Sequence, residues 1–191
     1  MSPNGTRSGL ALPGPEPIAP QLLPIQVVHR HTDGVISFHR KNADDSFENL
    51  FAIRAEHLQG MFPEFQSQLE TDSFFSVNAF FHPEGRRRRL SAIEARQRDR
   101  IRYLCAVYVD LDSYRVEMDF GAALGAIISR QDKGLLPPAS VIARSGQGVW
   151  LFWILSDQLC PDLPQRAWPE KVRRYLEINR AAGELLKDLG A

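Results

Sequence analysis

Cysteine is nearly absent: Cys105 and Cys160 are the two in 191 residues, one inside an apolar run and one in a loop-like stretch. That pair, at that spacing, builds neither a disulfide framework nor a cysteine-held metal site, and it suits a reducing compartment. Net charge is absent as well, since 23 Lys and Arg balance 23 Asp and Glu. No global field advertises a polyanionic partner, so any nucleic acid has to be held by local patches. No apolar stretch approaches a membrane span of about 20 residues. The N-terminus lacks the charged-then-apolar pattern of a secretory signal. A cytoplasmic protein without a membrane partner is therefore expected. Hydrophobic residues at 43% and charged residues at 24% leave room for one ordinary globular domain with a tail.

Proline, by contrast, is concentrated at the start: Pro3, Pro13, Pro15, Pro17, Pro20 and Pro24 stand among Gly, Ser and Asn. Residues 1–24 bury too little apolar surface to offset their ordering entropy and are expected to be a disordered tail. A single domain is expected over residues 25–191. Ile25 to His29 and Val35 to His39 read as strands around Asp33-Gly34, and Glu48 to Gln66 as a helix broken near Pro63. Phe74 to Phe80 reads as a strand, and Glu84 to Arg102 as helical in its second half. Phe120, Leu124, Ile127 and Ile128 fall at helical spacing, with a stop near Lys133-Gly134. Val141 to Ala143 and Val149 to Leu155 read as two further strands, and Lys171 to Leu189 as a closing amphipathic helix. Helices alternating with a mixed sheet give an α+β or α/β class.

The apolar run Tyr103-Leu104-Cys105-Ala106-Val107-Tyr108-Val109 reads as a buried strand and ends in Asp110-Leu111-Asp112. Strand side chains alternate, so Asp110 and Asp112 share a face. Two ionised carboxylates that close repel unless a cation sits between them, and a divalent metal, Mg²⁺ or Mn²⁺, answers that need. The competing assignment is a pair of loop-edge acids capping the next helix.

Beyond it, Arg144-Ser145-Gly146-Gln147-Gly148 links two strands and leads into Trp150, Phe152 and Trp153. Two glycines there make either a plain hairpin turn or a phosphate cradle of exposed amides beside Arg144. The aromatics serve as core or as support for a base. Arg86-Arg87-Arg88-Arg89, followed by Arg96, Arg98, Arg100 and Arg102, is either a solvated face balanced by Glu84, Glu94 and Asp99 or a nucleic-acid backbone contact. His29-Arg30-His31 lacks the hydrophobic residue between histidines that rolling-circle nicking enzymes need.

The acid-x-acid strand end followed by a helix, a strand and a Ser-Gly-x-Gly loop resembles the archaeo-eukaryotic primase superfamily. The likeness is in particular to the primase-polymerase domains of plasmid, phage and integrative-element replication proteins, and it covers roughly residues 35–191. The resemblance implies a primase-type α+β core with a sheet related to RNA-recognition modules. It implies a nucleotidyltransferase that extends a 3′-hydroxyl with NTPs or dNTPs on a DNA template, in concert with a helicase domain or subunit. Asp110 and Asp112 would then hold two divalent ions. Arg144, Ser145, Gly146, Gln147 and Gly148 would cradle the triphosphate, and Trp150 would line the nucleotide pocket.

Two departures qualify the likeness. Trp150 stands where family members often carry a phosphate-contacting His, and an indole offers one N–H donor and no titratable nitrogen. The family's third acid falls about where Leu189-Gly190-Ala191 ends this sequence, which implies a C-terminally truncated domain, with Asp157 and Asp162 as local substitutes. A non-catalytic single-stranded nucleic-acid-binding module of a replication initiator and a metal-dependent nuclease are the alternatives.

Overall fold

The computed structural model describes residues 19–44, 46–69, 73–81 and 98–191. Short helix α1 (Leu23–Val28) precedes a hairpin of β1 (Val35–Lys41) and β2 (Phe47–Arg54). Helix α2 (Leu58–Phe65), β3 (Ser73–Phe75) and β4 (Ala79–Phe80) follow. The acidic segment is carried by β5 (Ile101–Leu104) and β6 (Ala106–Leu111). Then come α3 (Phe120–Asp132), β7 (Val141–Ser145), β8 (Gly148–Ile154), β9 (Gln165–Arg166) and α4 (Pro169–Leu185).

The strands form two sheets. One runs β2-β1-β4-β5-β9 with β3 also on β1, and the other is the three-stranded β6-β8-β7. The class is α+β, as expected, but the pairing differs from the mixed sheet expected. Every pair among the described residues is antiparallel. The short hairpin joining β7 to β8 allows nothing else.

The single strand expected over Tyr103–Val109 is two. β5 belongs to the first sheet and β6 to the second, with Cys105 as the joint. The Cys105 amide donates to Asn78 Oδ1 at 3.3 Å, and its carbonyl accepts from the Leu155 amide at 2.8 Å. Val107, Val109 and Leu111 of β6 are buried against the helices. Val109 and Leu111 pack with Ala123 and Ile127 of α3 and with Leu186 and Leu189 beyond α4. Val107 packs with Val172 and Tyr175 of α4. Tyr108 and Asp110, on the alternate positions, are left for the opposite face.

Helix α3 obeys its sequence signals. Asp119 caps it, accepting from the Ala122 amide at 2.8 Å. Gly134, at φ +68°, ends it, with Leu135 N–H on Arg130 and Gly134 N–H on Gln131. This is the Schellman arrangement, which favours glycine at the left-handed position.

Elsewhere the local expectations fail for identifiable reasons. Ile25 to His29 is helical rather than extended: Pro24 sits in the first turn of α1, where its missing N–H costs nothing, and Ile25 and Val28 face inward three apart. Leu22 is 1% exposed within the core, so folding begins before residue 25 and the tail assigned to 1–24 is too long. Leu50 and Phe51 lie on β2, because Phe51 pairs with Phe38 and stacks on it at 4.8 Å; the helix starts only at Leu58 and contains Pro63. The strand expected over Phe74–Phe80 is broken at Ser76–Asn78, where Ser76 N–H bonds the Ser37 carbonyl and Ser76 Oγ accepts from Ser37 N–H. The helical expectation within Glu84 to Arg102 falls largely outside the described residues; its end is a short 3₁₀ turn at Arg98–Arg100 running into β5. Among the described residues no helix is long and apolar enough to cross a membrane.

His29 lies under the inter-sheet joint. Its Nε2–H donates to the Ser76 carbonyl at 2.8 Å, while Nδ1 stands 3.8 Å from Cys105 Sγ. Burial holds the imidazole down at about 4, against which the Ser76 bond works, so His29 is neutral at pH 7. Burial likewise pushes the Cys105 thiol up to about 12, which makes it a packing residue rather than a nucleophile. A depressed histidine pKa stabilises the fold above the unfolded value near 6.5 and loses that contribution as pH falls toward 4. Acid unfolding of the wild type should therefore include a loss of about 3 kcal/mol across that window. In His29→Gln, equilibrium unfolding at stepped pH should show this component flattened.

Candidate active site

The edge-to-edge register of the three-stranded sheet builds the site. Asp110 lies opposite Trp150, and Trp150 lies opposite Ala143 on β7. The Tyr108 amide donates to Asn179 Oδ1 on α4 at 3.0 Å and so points away from β8. Tyr108–Phe152 and Asp110–Trp150 are thus the non-hydrogen-bonded pairs, whose side chains stand closest. Tyr108, Asp110, Trp150 and Phe152 share one face, turned toward β1, β3 and β4 of the first sheet. Trp153 is on the other face, where its Nε1–H donates to the Pro137 carbonyl at 2.9 Å.

Neither aspartate is a helix cap. Asp119 holds that role for α3, and Asp112, which precedes the 3₁₀ turn Ser113–Val116, makes no side-chain capping bond. Asp112 instead pairs with Arg115 at 3.0 Å, both side chains being at least a third exposed. An ion pair so wet is worth little and readily yields to a better partner. The Asp112 backbone is clamped from behind: its N–H donates to the Gly190 carbonyl at 2.9 Å, and a Cβ on Gly190 would fall 2.7 Å from the Asp112 carbonyl oxygen.

Asp110 is the more deeply set of the two. Ser145 Oγ donates to its Oδ1 at 3.4 Å. Burial raises the Asp110 carboxyl above its ordinary value, and the Asp112 charge adds to the rise. Hydrogen bonds from the Trp150 indole and the Ser145 hydroxyl, with the Arg115 charge, oppose it. A half-buried carboxylate whose direct partners are neutral donors, beside a second carboxylate, is the electrostatic condition that a cation relieves.

Ser145 to Gly148 is a two-residue hairpin turn, with Gly146 at φ +68°. Gly148 answers a different need: a Cβ there would lie 2.1 Å from the Leu111 carbonyl oxygen, so β6 can approach only a glycine. Arg144 is engaged with the turn itself. Its Nε donates to the Gly146 carbonyl at 2.9 Å, and its guanidinium lies 5.8 Å from the Phe120 ring.

A groove of about 1090 Å³ runs over these residues, lined by Asp110, Asp112, Arg115, Arg144, Ser145, Gly146, Gln147 and Trp150 on one side. Residues of α1, β1, β3 and α2 line the other. The structure thus gathers the acid pair and the Ser-Gly-Gln turn into one cleft. Gly148 is beneath it as a spacer. Arg86, Arg87, Arg88 and Arg89 lie outside the described residues. Asp157 accepts from the Leu159 amide and from Gln165 on β9, and neither it nor Asp162 lines the groove. Among the described residues no group of three His, Cys, Asp or Glu stands together. Two carboxylates still suit Mg²⁺ or Mn²⁺, because such ions keep several waters and are completed by substrate phosphates.

Sequence reasoning missed Arg115 and Tyr108. Tyr108 was findable, since it precedes Asp110 by two on a strand and must share its face.

Two measurements probe this arrangement. Gly148→Ala should lower stability by about 1–3 kcal/mol, because the Leu111 carbonyl cannot step aside. Gly146→Ala should lose about 1–2 kcal/mol from its left-handed φ alone. Denaturant unfolding of the two variants compares the losses. A raised carboxyl pKa favours the fold below the ordinary carboxylate range and penalises it as pH rises. Asp110→Asn should therefore unfold at a higher temperature than wild type at pH 7, with the gain fading below about pH 4. Added Mn²⁺ should raise the wild-type midpoint more than that of the variant.

No family model, curated protein or solved structure matches this chain.

Proposed function

We propose that the groove is the site of a DNA-directed primase or polymerase, transferring a nucleotide to a 3′-hydroxyl. The observation that carries the proposal is the meeting of the acid pair and the Ser145 turn in one groove, with Ser145 bonded to Asp110. The residues divide the work by chemistry. Asp110 and Asp112 would hold Mg²⁺ or Mn²⁺, which supplies hydroxyl activation and charge neutralisation on the departing phosphates. The amides of the turn offer neutral donors to phosphate oxygens, while the Ser145 hydroxyl steadies Asp110. Arg115 and Arg144, both lining the groove, give it positive charge beside the acids. Attack of the 3′-oxygen on the α-phosphorus forms the phosphodiester and releases pyrophosphate, with the hydroxyl proton passing to water. The sequence resemblance extends the proposal to replication of a mobile element, with a helicase as companion.

A second function has its own observation. Trp150 and Arg115 already engage Asp110 and Asp112, so both carboxylates have partners without any cation. That arrangement favours a single-stranded nucleic-acid-binding module that performs no chemistry.

Incubation of the protein with a primed DNA template, NTPs or dNTPs and Mn²⁺ separates them. Extension that drops to background in Asp110→Ala and in Asp112→Ala is the expected result. Binding of single-stranded DNA unchanged by metal or by either substitution, with no product, would replace it with the second function. Shortening of the labelled strand would mark a nuclease.

A further inference from the structure

Beside the acid pair, and sharing Asp110 and Trp150 with the groove, lies a second cavity of about 390 Å³. Its size falls within the range of small-molecule sites, roughly 300–1,000 Å³. Its walls are aromatic. Phe75 stands against Trp150 at 5.9 Å and 82° and against Phe152 at 6.2 Å and 33°, so the back wall is a fixed ring cluster bridging the two sheets. Two lining rings are well exposed, Tyr108 at 43% and Phe47 at 46%, although both lie within the cleft. Phe47 is steadied edge-on by Phe74 at 5.5 Å, and open ring faces on so rigid a backing are suited to stacking on a base.

The polar lining narrows the occupant. His39, Ser76 and Asn78 line the cavity among the rings, and Asp110 stands where it meets the groove. An acyl chain would match the rings but make no use of those polar groups. A flat heteroaromatic ring with polar edges satisfies both rings and polar groups. If it carries a phosphate tail, that tail reaches the acid pair and the Ser145 turn.

We infer that this cavity holds the base and sugar of a nucleoside triphosphate, seated by the protein alone before any template is bound. The inference rests on the nucleotidyltransferase function proposed above and adds to it a substrate-binding step that base pairing does not supply. A base gripped by Tyr108 and the Phe75 cluster has an affinity of its own, so the nucleotide complex forms in the absence of DNA.

Calorimetric titration without DNA, in Mn²⁺, compares ATP and CTP with inorganic tripolyphosphate. At least one nucleotide should bind about tenfold or more tighter than tripolyphosphate, as stacking contributions of this kind imply. Tyr108→Ala should remove that advantage while leaving tripolyphosphate affinity unchanged. Tyr108→Phe, which keeps the ring, should retain it and controls for damage to β6. Equal affinity of nucleotides and tripolyphosphate, both lost in Asp110→Asn, would overturn the base site and leave the phosphate site standing. Absence of binding by all three would overturn the base site and the phosphate site together.

Discussion

Between Leu104 and Ala106 a continuous apolar stretch changes sheets, and the molecule is organised around that change. Cys105 bonds Asn78 on one side and Leu155 on the other, which fixes how far the two sheets diverge. The divergence opens a cleft, and the period-two alternation of β6 sends its aliphatic residues to the helices and Tyr108 and Asp110 to the cleft. Neutral His29 and the un-ionised Cys105 thiol fill the joint without bringing charge into it.

The acid pair shows how a fold tolerates a locally unfavourable group. Asp110 is held by neutral donors in a partly buried position, and Asp112 by a wet ion pair. Neither arrangement is the most stable available, since a neutral side chain at 110 would escape the desolvation. Backbone constraints hold the pair in place regardless: Gly148 lets β6 approach the turn, and Gly190 backs the Asp112 carbonyl. Rigid support for a poorly solvated charge gives up stability locally.

Much of this was readable from residue types. The period-two spacing placed Asp110 and Asp112 together, helical spacing and the Gly134 stop marked α3, and the paired glycines marked the hairpin. What escaped depended on partners distant in sequence. Ile25 to His29 has strand-like composition, yet Pro24 and inward contacts made it helical. Leu50 and Phe51 suit a helix face, yet Phe38 across β1 took Phe51 into a strand. The sheet change at Cys105 has no local signal, since Leu104 and Ala106 are both ordinary buried residues, and the cleft that depends on it was equally invisible. Gly148 looked like part of a phosphate loop, and only the position of the Leu111 carbonyl reveals it as a spacer.

Trp150 belongs at once to the aromatic wall and to the hydrogen-bonding of Asp110. Its ring packs edge-on against Phe75, and its one N–H serves the carboxylate. A single rigid indole cannot adjust to an occupant on one side without altering the donor it presents on the other. A ring in the cavity and a cation on the acid pair would therefore be thermodynamically linked through that side chain, and the factor by which either changed the other's affinity would be the same in both directions.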